Sequence, residues 1–139
     1  MLDKAREGAS MSRSTIDARQ RAELCRNLLG PLSDHFNAAG KAYADYLQNG
    51  KSFRFACALR RINGSARALL VDHRDLLPEE LQGHAAALVH HYDVWMALWD
   101  DLAAAGEPAV DDPFVFENSV RFPRESQRAL LECYDQLRR

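Results

Sequence analysis

Apolar and aromatic residues return in steps of four and three along three separate stretches, and this spacing constrains the fold more than any other feature of the chain. From Ala18 the series runs through Ala22, Cys25, Leu29, Leu32, Phe36, Ala39, Tyr43 and Tyr46. From Phe55 it runs through Leu59, Ile62, Ala66, Leu69, His73 and Leu76, and from Leu81 through Ala85, Leu88, Tyr92, Trp95, Trp99 and Leu102. Such steps keep side chains on one face of a helix with about 3.6 residues per turn. The spacing predicts helices over 14–49, 52–75 and 78–106. A fourth is expected from near Pro123 to the C-terminus, through Leu130, Cys133 or Tyr134, and Leu137.

The first of these passes through Gly30-Pro31 without losing phase, so 14–49 reads as one long helix. A kink is expected at Pro31, which lacks an N–H and whose ring clashes with the carbonyl of Asn27. Ser14-x-x-Asp17 offers an N-terminal capping pattern, and Asn49-Gly50 a stop. Over 53–71, alternation of Phe53, Phe55, Cys57 and Leu59 before Asn63-Gly64 would suit a hairpin. The strong helix formers on both sides, and the stripe that crosses the Asn-Gly in phase, favour helix. Pro78 and Gly106 bound the third helix.

The segment "GEPAVDDPFVFENSVRF" carries Phe114, Val115, Phe116, Val120 and Phe122, too apolar for a free linker. It is expected to lie as a strap across the helices. The predicted fold is all-α: an antiparallel bundle of four to five helices, with a long kinked first helix and an extended strap before the last. Residues 1–13, small, polar and charged, are expected to be a disordered tail, and 14–139 one domain.

Net charge is −2, so no overall field draws the chain to nucleic acid or an anionic membrane. No apolar run reaches the ~18 residues of a membrane span, and the N-terminus has no signal-peptide core. Cys25, Cys57 and Cys133 are far apart and form no C-x-x-C pair, which points to reduced thiols in a cytoplasm. Heavy use of Ala, Leu and Arg is compatible with a bacterial source. Nucleophile elbow, P-loop, dinucleotide fingerprint and calcium loop are all missing from the sequence, and no cofactor is expected.

Residues 59–66, "LRRINGSA", resemble the signature helix of histidine-phosphotransfer domains, which are also four-helix bundles. Arg60 stands where that family carries its phosphorylatable histidine, so the resemblance implies a surface without the reaction. Arg67 and His73, an Arg-x5-His pair, resemble the catalytic motif of HEPN ribonucleases. That resemblance implies a metal-independent ribonuclease in which Arg67 stabilises phosphate and His73 lies near the scissile bond. Against it, six helical residues turn through about 600°, leaving the two side chains about 120° apart.

Two surfaces suggest docking instead. Arg60, Arg67 and Arg74 recur at seven-residue spacing on one face, suited to an acidic partner. On the third helix Val94, Met96 and Leu98 widen the apolar face beyond its stripe, as an interface would. His84 and His91, also seven apart, lie about 10 Å apart along the axis, too far to share a metal. The expected function is therefore non-catalytic: protein–protein interaction as an adaptor or accessory subunit, or self-association. Contacts are expected at Arg60, Arg67, Arg74, Val94, Met96 and Leu98. Nucleic acid, membrane and metal are not expected as partners.

Overall fold

The computed structural model describes residues 16–139, and its fold is an all-α bundle. The long first rod is built from α1 (Ala18–Leu24), a π-helical turn (Cys25–Leu29) and α2 (Gly30–Gln48). Then come α3 (Phe53–His73), a 3-10 turn (Arg74–Leu76), α4 (Glu79–Gly106) and α5 (Arg124–Arg138). Among the described residues no strand forms; one isolated bridge joins Ser52 to Pro113. Short links at 49–52 and 74–78 make successive rods antiparallel neighbours. The tail expected over 1–13 and the Ser14 cap lie outside the described residues.

Asp17 starts the first rod. Its side chain accepts from the Gln20 N–H at 2.8 Å, and the Gln20 side chain accepts from the Asp17 N–H at 3.1 Å, a reciprocal capping box. The irregularity expected at Pro31 takes the form of the π turn just ahead of it. The Gly30 N–H donates to Cys25 O, five residues back. The widened turn absorbs the hydrogen bond that proline cannot make.

This turn corrects the sequence reading. One extra residue per turn rotates the buried face by about 100°. Upstream, Leu24 and Leu28 are buried while Ala18 and Ala22 are exposed; downstream, Leu29, Leu32 and Phe36 are buried. A β-carbon at Gly30 would lie 2.8 Å from Cys25 O and 3.2 Å from the Tyr134 hydroxyl. Glycine is thus what lets α5 approach the π turn.

On α3 Leu59 and Ala66 of the expected stripe are buried, while Ala56 and Leu70 take the buried places expected for Phe55 and Leu69. Asn63 falls in step with them, midway. At the end of α4 the left-handed residue is Glu107, with φ 42°, rather than Gly106, which is the last helical residue.

Two cores result. The larger is mainly aliphatic, with Leu24, Leu28, Leu29, Leu32, Leu70 and Leu88 among its members, and α5 closes it through Leu130. The smaller is aromatic: Ala56, Trp99 and Phe114, with Phe53, Trp95 and Phe116 packed on them. At about 1.5 Å per residue, the 28 residues of α4 span roughly 42 Å and the 15 of α5 only about 22 Å. A fourth helix therefore covers about half of α4, and the strap covers the rest.

The strap is pinned by backbone as well as side chains. Phe53 and Arg54 N–H groups, at the start of α3, have no partner within the helix. They donate to strap carbonyls of Asp112 (2.8 Å) and Val110 (2.9 Å), and Phe114 N–H donates back to Lys51 O at 2.9 Å. Ser52 accordingly makes no side-chain cap. The Phe114 ring lies 4.9 Å from Trp99 and 5.2 Å from Phe53, centre to centre.

Candidate functional site

Where the strap replaces a helix, it leaves a groove between α2, α3 and α4. Two adjoining cavities occupy it. The first, about 310 Å³, lies under the strap between Tyr46, Lys51, Trp99, Phe114 and Phe116. The second, about 480 Å³, runs toward the start of α5 between Phe36, His91, Tyr92, Phe122, Arg121 and Arg124. Tyr43, Leu59, Asn63 and Trp95 line both. Volumes of this order, apolar walls and a few convergent polar groups are the usual marks of a ligand site.

Each polar group has a definable role. Tyr46 Oη donates to Phe114 O at 2.5 Å, and burial raises the Tyr46 pKa, so the phenol stays protonated and tethers the strap. His91 Nδ1 lies 3.0 Å from Val120 O. A carbonyl only accepts, so Nδ1 carries the proton and Nε2 the lone pair. The 3.4 Å approach of the Asn118 amide nitrogen to Nδ1 is then a contact between two donors; Asn118 Oδ1 instead accepts from Val120 N–H. Burial lowers the His91 pKa, and the nearby carbonyls offset this only in part, so the ring is neutral at pH 7. Asn63 makes no side-chain hydrogen bond with another described residue.

Charge around the groove has one sign. Lys51, Arg121 and Arg124 line it, and no carboxylate does. None of the three forms an ion pair with a described residue. Glu117, on the strap, is exposed and belongs to neither lining. At the rim Tyr43 is 53% exposed and Val115 56%, among the most open large apolar side chains of the described residues.

The arginines singled out in the sequence lie elsewhere, between α3 and α4. Arg60 grips Asp100 with two of its three guanidinium nitrogens, Nε–Oδ1 at 2.8 Å and Nη2–Oδ2 at 3.0 Å, and lies over the Trp99 ring. This pairing raises the Arg60 pKa and lowers that of Asp100. Arg67 pairs with Asp93. Arg74 is exposed in the 3-10 turn, where its carbonyl accepts from Gln82 Nε2 at 2.7 Å. The acidic face expected on a partner is thus supplied, for Arg60 and Arg67, by the chain's own Asp100 and Asp93, which share their seven-residue spacing. His73 ends α3, half-buried, six residues beyond an arginine already held by α4.

Of the apolar flank, Met96 packs against the larger core and receives an Arg60 N–H on its sulfur at 3.4 Å, while Val94 and Leu98 are half-buried. Gly64, in the Asn-Gly of α3, faces this contact: a β-carbon there would sit 3.5 Å from Arg60 Nη1 and 3.8 Å from Met96 Sδ. His84 Nδ1 meets Ser126 Oγ at 2.9 Å. No cluster of three or more metal-ligating side chains forms among the described residues. Burial pushes the Cys25 and Cys57 thiols up, away from reactive thiolates.

Sequence reasoning missed Asn63, Tyr43, Lys51 and Arg121. Only Asn63 carried a signal: a polar residue in register with Leu59, Ala66 and Leu70 on the face that turned out to be buried. No protein-family model matches this chain, and no curated protein or solved structure matches it. No helix of the described residues is long and apolar enough to cross a membrane.

Proposed function

We propose that this chain is a non-catalytic binding protein, and that it engages a protein partner through the groove beneath the strap. The observation that carries this reading is the pair of adjoining cavities with shared walls, aromatic in lining, open at Tyr43 and Val115, and framed by polar groups with unused hydrogen-bonding capacity. Such a surface offers apolar burial with fixed polar anchors, the usual basis of recognition. Arg67, by contrast, is paired with the chain's own Asp93. Half-buried cysteine thiols and the composition fit a bacterial cytoplasm as its setting.

Site-specific cross-linking tests the reading. A photoreactive residue placed at Val115 should capture one partner protein at fixed stoichiometry. The same residue at exposed Ala104 on α4 should not. Tyr43→Glu should abolish the product without changing helix content. Equal yields at the two positions, or a product indifferent to Tyr43→Glu, would sink the reading.

A further inference from the structure

The charge, shape and unused hydrogen bonds of the groove narrow the kind of partner it fits, if the groove is the binding site proposed above. Its two cavities lie end to end, divided by Tyr43, Leu59, Asn63 and Trp95. The strap already fills part of the width that a fourth helix would take, and a helix with side chains is about 10–12 Å across. An extended chain is narrower than a helix and suits two cavities that share a wall. Successive side chains of an extended strand point to opposite faces, so residues two apart share a face, and two of them can enter the two cavities.

Asn63 stands where the backbone of such a chain would cross from one cavity to the next. A carboxamide presents a carbonyl acceptor and an NH2 donor side by side. It can therefore accept from a peptide N–H and donate to a peptide C=O together. Nothing in the described residues uses that capacity. The only charged side chains lining the cavities are cations: Lys51 in the first, Arg121 and Arg124 in the second. The chain as a whole carries net charge −2, so this cationic frame is local, not a reflection of composition. Arginine forks suit carboxylates.

We infer that the groove binds an extended acidic peptide segment of the partner. Two apolar or aromatic side chains of the segment fill the cavities, Asn63 holds its backbone between them, and its flanking carboxylates meet Lys51 at one end and Arg121 and Arg124 at the other. Asn63 supplies register; the cations supply the preference for acid and a salt-dependent association rate.

The test uses the full chain and a display library of short random peptides, with the best binder synthesised and titrated by fluorescence polarisation. The expected consensus is two apolar positions with Asp or Glu on both sides. Asn63→Ala should weaken that peptide roughly tenfold or more, as loss of a central contact does. The joint reversal Lys51→Glu, Arg121→Glu and Arg124→Glu should weaken it strongly at low salt and remove most of its salt dependence. Gly40 lines the second cavity, and a β-carbon there meets nothing within 4 Å, so Gly40→Phe blocks the groove without a clash at its base.

Binding that is lost in Gly40→Phe but indifferent to the charge reversal would overturn the acidic chemistry and leave the groove standing. Binding indifferent to both Gly40→Phe and Asn63→Ala would overturn the groove as the peptide site. A library that yields no binder, or a groove that takes a short single-stranded RNA in place of every peptide, would overturn the inference. In those cases the Val115 cross-link reports separately on whether a protein partner uses the surface.

Discussion

The two ends of the bundle are built from different materials. At the aliphatic end, leucines from four rods interlock and α5 closes the core; Leu24, Leu28, Leu70 and Leu88 are wholly excluded from solvent. At the aromatic end α5 has not yet begun, and a strap closes the core with one fully inserted ring, Phe114, and a second half-buried ring, Phe116. Helix against helix packs to the density of an interior. A strap set against three helices fills the space between them less completely than a helix would. The first cavity is the gap it leaves beside Phe114 and Phe116; the second lies farther along, between Val120 and Phe122 of the strap, the start of α5, and Phe36 and Tyr92 of the larger core. The lesson is that the groove follows from a difference in helix length, about 42 Å for α4 against about 22 Å for α5, more than from any single motif.

The largest effect should come from Phe114→Ala. Deleting a buried phenylalanine costs about 3–5 kcal/mol. If the strap is the weak closure described here, hydrogen exchange of the Phe53 and Arg54 amides should rise together, because their acceptors are strap carbonyls. Amides of the aliphatic end should keep their protection relative to the lowered global stability. Uniform loss of protection would mean that the two cores unfold as one.

Gly30→Ala probes the aliphatic end. The added methyl group meets Cys25 O at 2.8 Å, so the π turn or Tyr134 must shift, at a cost of about 1–3 kcal/mol by chemical denaturation. A neutral or stabilising outcome would show that this end is less tightly packed than its burial suggests.

His91 lies near the boundary, and its lowered pKa has a definite sign. The unfolded chain binds the proton more readily, near pH 6.5. Its contribution to stability is therefore full above about that pH and falls as pH drops below it. The groups facing the ring are the Val120 and Arg121 carbonyls, Asn118, His90, Tyr92 and Phe122, none of them acidic. His91→Gln should flatten that part of the stability–pH curve. An unchanged slope would assign it to another group.

Smaller still is the Arg60–Asp100 pair that ties α3 to α4 beside the aromatic core. Asp100 is about half exposed, so solvent screens the pair, and Asp100→Asn should cost no more than about 1 kcal/mol. Because the Asp100 pKa is lowered, the contribution is present above the ordinary carboxylate range near pH 4 and is lost as pH falls through the folded value. Comparable loss at pH 7 and at pH 2.5 would rule out charge as its source.

The fold was largely legible because helical periodicity is a property of short windows. Four rods, the stop at Asn49-Gly50 and an apolar strap over α4 all followed from spacing and turn residues. The π turn was not legible. Ala18, Ala22 and Cys25 fit an unbroken stripe, yet Leu24 and Leu28 are what the core accepts. The site was less legible than the fold. Of the three arginines at seven-residue spacing, Arg60 and Arg67 face Asp100 and Asp93, which repeat that spacing on α4, while Arg74 stays exposed.

By itself, then, the sequence determined which segments are helical, where they stop and that the strap must be covered, since these depend on neighbours three or four residues away. Only the tertiary structure decided where the buried face shifts along the first rod and α3, which charges cancel within the chain, and that Tyr43, Asn63, Trp95 and Arg121 meet around one groove. Those outcomes depend on how far each rod extends and on what stands across from it, and no local pattern encodes the distance between two helices.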